Sequence, residues 1–332
     1  MLEAVARAND GHALAYGDDR WTRECEGAFR ELLGDVTTLF TFNGTGANVL
    51  ALACLLGPAE AVVCTDWAHI ATDEAGAPER ILGAKLIDLP CEDGKLRPDQ
   101  VSGLAHLLGV AHHAQPAVVS ITQSTELGTV YTADEVGEIC DAAHRLGMTV
   151  HIDGARIANA AAALGGDIAA LRSFTVDAGV DVVTFGGTKN GLLGGEAVVF
   201  LRPELAGRAR YVRKQVTQLP SKMRFIAAQF LALLDEDRWL QLATHSNAMA
   251  ARLHAATADL PGVDVAAPQV NSLFPSLPSE IIEPLRDWCF FWDWEPRRNQ
   301  VRWMTAWDTT PADIDAFAAG VTCATEATAS KN

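Results

Sequence analysis

Short, continuous apolar runs recur along the first two thirds of the chain and alternate with amphipathic stretches. AVVCT (Ala61–Thr65), AVVSIT (Ala117–Thr122), MTVHID (Met148–Asp153), DVVTF (Asp181–Phe185) and AVVFL (Ala197–Leu201) are brief, β-branched and unbroken. That pattern predicts strands buried on both faces. Between them, TADEVGEICDAAHRLG (Thr132–Gly147) reads as a helix. It opens on Thr132 with Glu135 three residues later, the two halves of a capping box, and closes on Gly147. Strand–helix–strand alternation predicts an α/β fold, a mostly parallel central sheet with helices on both faces.

The pattern changes near Ser221. MRFIAAQFLALLDE and DRWLQLATHSNAMAARLHAATADL read as consecutive helices. A strand-rich stretch follows, carrying Trp288, Trp292, Trp294, Trp303 and Trp307, and a last helix starts near TPADIDAFAAGV. The expected organisation is a large α/β domain over residues 1–235 and a smaller C-terminal α+β domain over 236–332.

Composition narrows the class. The chain has 332 residues, 49% of them apolar, and a net charge of −16. Such an acidic balance speaks against a nucleic-acid partner, which would want a basic surface. The seven cysteines are dispersed, with no CxxC pair, which reads as reduced thiols in a cytoplasmic protein and not as a zinc site. No apolar stretch approaches the roughly 20 residues of a membrane helix, and the N-terminus lacks a signal-peptide core. A small-molecule enzyme with no membrane partner and no metal is the expectation.

Unusual residues cluster where such sheets bind ligands, at the carboxyl ends of strands. FNGTGAN (Phe42–Asn48) leads into an apolar helix, with Gly44 and Thr45 at its start. It is either a phosphate loop or an ordinary glycine-containing helix entry. Asp153 ends a strand and Arg156 follows in HIDGARIANA. They form either a structural ion pair or a carboxylate set against a protonated ring nitrogen. In TFGGTKNGLLGG, Lys189 and its neighbour Thr188 sit among Gly186, Gly187, Gly191, Gly194 and Gly195. Either this is a surface turn, or amine and backbone are brought close to something. His69, in DWAHIATDEAGA, is either a polar loop residue or a group that stacks on a flat ring and exchanges protons. Phosphate loop, then aspartate, then lysine are the three handles that pyridoxal 5'-phosphate needs, in the order found in the large domain of fold-type-I enzymes.

At these motifs the chain resembles the low-specificity L-threonine aldolases, a β-eliminating lyase group. YGDD (Tyr16–Asp19), NGTGAN (Asn43–Asn48), HIDGARIANA and FGGTKNG carry the resemblance, which extends over nearly the whole chain. It implies retro-aldol cleavage of L-threonine or L-allo-threonine to glycine and an aldehyde, and a homotetramer built from dimers that share active sites. Lys189 matches the Schiff-base lysine and Asp153 the partner of the pyridine nitrogen. Arg156 matches an arginine near the ring, Gly44 and Thr45 the phosphate cup, and His69 the stacking histidine. Thr188 is a candidate anion donor. Arg302 matches the arginine that binds the substrate α-carboxylate, and Tyr16 is a further substrate-side candidate. Arg213 and Lys222 fall where a neighbouring subunit's basic residues approach the phosphate.

Two departures accompany the resemblance. Many family members carry a histidine in the loop after the strand Ala117–Thr122. Here that loop reads QSTELG, with Glu126 near the place, either an acid–base group or a solvated loop carboxylate. The sequence also begins beyond an expected segment with a Ser-Asp motif. A lyase for a bulkier β-hydroxy amino acid such as phenylserine, and a weakly active pyridoxal phosphate-binding homologue, share every one of these motifs.

Overall fold

A computed structural model describes residues 1–329. Its main sheet is built from β1 (Thr37–Thr41), β2 (Glu60–Thr65), β3 (Lys85–Leu89), β4 (Gln115–Thr122), β5 (Thr149–Gly154), β6 (Val182–Gly186) and β7 (Glu196–Phe200). The strand order is β1-β7-β6-β5-β4-β2-β3. β7 runs antiparallel to both of its neighbours, and the other pairings are parallel. The apolar runs read from the sequence are β2, β4, β5, β6 and β7, each buried along nearly its whole length. Parallel pairing needs a crossover outside the sheet, and the helices that supply it cover both faces.

The crossover before β5 shows how local sequence sets the frame. Thr132 Oγ1 accepts from the Glu135 backbone N–H at 3.2 Å, and Glu135 Oε2 accepts from the Thr132 N–H at 2.8 Å. This box caps the helix Ala133–Arg145, a contribution of about 1 kcal/mol. The helix Gly44–Leu55 is apolar on all sides, because it packs on β6 and β7 and is covered by the helices Ala77–Leu82 and Ala209–Gln215. Its N-terminus is thereby fixed at the carboxyl ends of the parallel strands.

The second layer of structure is a small sheet, β8 (Ser272–Leu273), β9 (Trp292–Glu295) and β10 (Gln300–Met304), ordered β8-β10-β9. Its core is closed by the helices Ser279–Trp288 and Pro311–Ala329. The helix Arg238–Thr257 joins the two cores. Trp239, Leu240 and Ala243 belong to the main one, and Met249, Ala250 and Leu253 to the small one. The stretch expected to be strand-rich contains the helix Ser279–Trp288, at whose last residue Trp288 sits. Trp292 and Trp294 lie on β9, and Trp303 on β10. Among the described residues no helix is long and apolar enough to cross a membrane.

Candidate active site

A cleft of about 420 Å³ opens between the carboxyl ends of β4, β5 and β6 and the small sheet. Gly44, Thr45, His69, Glu126, Asp153, Arg156, Lys189 and Arg302 all line it. Four sequence constellations from the main sheet and one strand of the small sheet therefore converge on one space.

Asp153 is the last residue but one of β5 and is 4% exposed, so its carboxylate must find donors inside the protein. Oδ1 accepts from the Ala155 N–H at 3.0 Å, and Oδ2 from Asn48 Nδ2 at 2.7 Å. Asn48 is buried in the first helical turns after the glycine loop. The same Nδ2 reaches Glu74 Oε1 at 2.9 Å, and Asn48 Oδ1 accepts from Thr184 Oγ1 at 3.1 Å. Thr184 Oγ1 lies 2.9 Å from His151 Nε2, whose Nδ1 lies 3.0 Å from Ser120 Oγ. Burial pushes His151 down to about 4, so it is a neutral member of this polar chain. Asp153 pairs with Asn48 and its own loop; its partner is not the Arg156 guanidinium, whose Nη2 donates to Met304 Sδ at 2.9 Å.

His69 opens a short helix, His69–Thr72. Its Nδ1 lies 3.0 Å from Glu74 Oε1, and that contact raises its pKa against the opposing pull of burial. Its backbone N–H donates to Glu126 Oε1 at 2.8 Å, which also accepts from Thr122 Oγ1 at 2.8 Å. Glu126 is not solvated. Burial pushes it up to about 7, and its Oε2 is buried with no protein partner.

Lys189 stands in the turn after β6 and opens onto the cleft, yet protein hems it in closely. Burial, with the nearby Arg156 charge second, lowers its pKa. The glycines around it have a structural cause. A Cβ at Gly186 would strike the Ala155 backbone, and Gly191 has φ +98°, a left-handed conformation. The close approach at Gly186 is to the chain's own backbone, and it holds the end of β6 against the Asp153 loop. Behind the turn, Glu196 Oε2 accepts from the Gly187 N–H at 2.6 Å, and burial pushes this carboxyl up to about 7.

Arg302, on β10, faces the others from the small sheet. Its guanidinium lies 4.6 Å over the Trp294 ring, and Trp294 stacks on Trp67 at 5.9 Å. The stack orders the fork of a side chain that would otherwise lose rotamer freedom on binding an anion. Burial lowers the pKa of Arg302, and that of Arg156 to about 10; both remain cations at neutral pH.

The remaining sequence candidates lie elsewhere. Thr188 Oγ1 bonds back to Gly195, accepting from its N–H at 3.1 Å. Tyr16 is 51% exposed with φ +64°, and Lys214 lies over its ring. Arg213 donates to the Phe40 carbonyl, and Lys222 occupies the N-cap position of the helix Met223–Leu234 without a side-chain capping bond. None of these four lines the cleft. Sequence reasoning passed over Asn48, Glu74, Thr184 and His151. All four lie inside the stretches NGTGAN, DWAHIATDEAGA, TFGGTKNG and HIDGARIANA; their roles become visible only when segments 26 to 136 residues apart are brought together.

The model of the beta-eliminating lyase family matches residues 1–278. The chain is 42% identical over 323 residues to a low specificity L-threonine aldolase from a Pseudomonas strain, covering 96% of this chain and 92% of the relative. It is 44% identical over 311 residues to the protein of that name from Pseudomonas aeruginosa, covering 92% and 88%. Among solved structures, a threonine aldolase from Leishmania major superposes with a TM-score of 0.91 at 32% identity, over 98% of this chain and 95% of that one. The architecture is therefore the fold-type-I one expected from the sequence.

Proposed function

The chain belongs to the beta-eliminating lyase family, and from that premise we propose that it is a pyridoxal 5'-phosphate-dependent aldolase. It cleaves the Cα–Cβ bond of L-threonine and L-allo-threonine, giving glycine and acetaldehyde. The observation that carries this reading is the convergence of Lys189, Asp153, His69 and Arg302 on one cleft.

The residues fit the cofactor. The helix that starts at Gly44 points its first, internally unpaired N–H groups into the cleft with Thr45, a setting for a phosphate. Asp153 is a buried carboxylate held by an uncharged amide and a backbone N–H, so its charge is available to a protonated ring nitrogen. Lys189 has a lowered pKa and no side-chain hydrogen bond among the described residues, which leaves its amine free to hold an aldehyde. When bound, pyridoxal phosphate supplies the electron sink for the pair released at Cα.

The chain's own groups do the rest. Arg302, ordered on Trp294, receives the substrate α-carboxylate and sets the orientation of the bond to be broken. His69 lines the cleft with one ring nitrogen uncommitted and serves as the proton acceptor for the β-hydroxyl. Glu126, its carboxyl pushed up to about 7 by burial, can take up or release a proton beside it. The tryptophan wall of Trp292 and Trp294 also suits a second substrate, a β-hydroxy amino acid with an aryl side chain.

Arg213 and Lys222 lie outside the chain's own cleft, so any contact of theirs with the phosphate is made from a neighbouring subunit. Leu14, Phe42, Leu193 and Tyr211 are exposed apolar side chains that an assembly of several copies would cover. The test of function is product analysis with added pyridoxal phosphate. Glycine and the matching aldehyde should appear in equal amounts from L-threonine, L-allo-threonine or phenylserine, and the preferred substrate separates the two readings.

A further inference from the structure

Glu74 is 6% exposed at the wall of the cleft. Its Oε1 accepts from Asn48 Nδ2 and lies 3.0 Å from His69 Nδ1, while Oε2 is buried with no protein partner. The carboxylate is thus committed to two neighbours, one of which also holds Asp153.

Proton positions along this chain follow from donor counting. Two carboxylates flank the Asn48 amide, so its NH2 faces them and its carbonyl must accept. Thr184 spends its only hydrogen on that carbonyl, so it must accept from His151 Nε2–H. His151 Nδ1 then accepts from Ser120. At the other end an ionised Glu74 can only accept, which makes His69 Nδ1 a donor. Nε2 is left as the ring nitrogen with no protein partner among the described residues.

We propose that Glu74 is a positioning residue for the reaction: it fixes His69 with its proton on Nδ1 and Nε2 free for the substrate hydroxyl, and through Asn48 it ties His69 and Asp153 into one hydrogen-bonded unit. This rests on the aldolase reading. The charges around His69 are those of Glu74 and Asp73 on its own segment, Asp153 from β5, Glu126 from the loop after β4, Lys189 from the turn after β6, and Arg156 and Arg302 across the cleft. Glu74 and Asp153 favour the imidazolium, and Lys189 opposes it. Glu74 makes the direct contact and so dominates.

The test is an NMR titration of the cofactor-loaded protein labelled at histidine Cε1, comparing wild type with Glu74→Gln. The chain has nine histidines, and loss of one resonance in His69→Gln assigns the signal. Glu74→Gln keeps an acceptor oxygen but removes the charge, so the His69 pKa should fall by about one unit. The acidic limb of the kcat profile should move down with it while KM for L-threonine holds. Glu74→Asp restores the charge and should recover most of the pKa, which guards against a variant that is merely misfolded. An unmoved His69 pKa in Glu74→Gln, or a neutral His69 carrying its proton on Nε2, would overturn the proposal. A wild type that cleaves no β-hydroxy amino acid, but whose His69 still depends on Glu74, would strike the aldolase reading and support this contact.

Discussion

Asn48 Nδ2 donates to Asp153 Oδ2 across 2.7 Å, although 105 residues separate the two. One is fixed by a buried helix, the other by the end of a central strand. Their contact aims the carboxylate without neutralising it. An arginine in Asn48's place would cancel the charge that a protonated ring nitrogen needs; an amide satisfies the buried oxygen and leaves the charge in place.

Replacing Asn48 with Ala removes the donor that Asp153 and Glu74 share. Two buried carboxylates are then left short of a partner, at a cost of about 1–3 kcal/mol each. Urea unfolding should show that loss, and pyridoxal phosphate should dissociate more readily from the variant than from wild type at the same pH.

Arg302→Lys keeps the charge and loses the planar fork stacked on Trp294. A charge-assisted hydrogen bond is worth about 1.5–3 kcal/mol, so kcat/KM for L-threonine should drop roughly tenfold to a hundredfold, chiefly through KM. Trp294→Leu leaves the guanidinium in place but unsupported, and its effect should be the smaller of the two in the same steady-state assay.

Glu126 predicts a pH dependence of stability. Its folded-state pKa of about 7 lies above the ordinary 4.5. Between those values the folded cofactor-free chain holds a proton that the unfolded chain has released. The contribution is therefore full below about pH 4.5 and is lost as pH rises through 7, on the order of 3 kcal/mol. Glu126→Gln should gain stability relative to wild type from pH 5 to pH 8, read as the change in its stability difference by chemical denaturation. Any constant penalty of the amide cancels in that comparison.

The sequence carried the centre of the main sheet and missed its rims. The five strands read correctly are continuous β-branched runs buried on both faces. The two missed strands, TTLFT of β1 and KLIDL of β3, are the edges, where polar residues interrupt the run. The helix Ser279–Trp288 was hidden by tryptophans that suggested strands and by Pro284 within it. At the site, Lys189, Asp153, His69 and Arg302 were legible because each stands in a distinctive motif. Glu74, Thr184 and His151 stand in the same motifs, yet their roles were not legible, because a buried polar network is defined by partners distant in sequence, and no spacing rule announces them. Glu126 could be read either way until its burial settled that it is no solvated loop carboxylate.

The most direct measurement is acetaldehyde release from L-threonine by the pyridoxal phosphate-loaded protein, run beside Lys189→Ala. The account predicts steady release by the wild type, and a fall of at least a thousandfold, about 4 kcal/mol in activation free energy, once the amine is gone. Release by Lys189→Ala at the wild-type rate would contradict it.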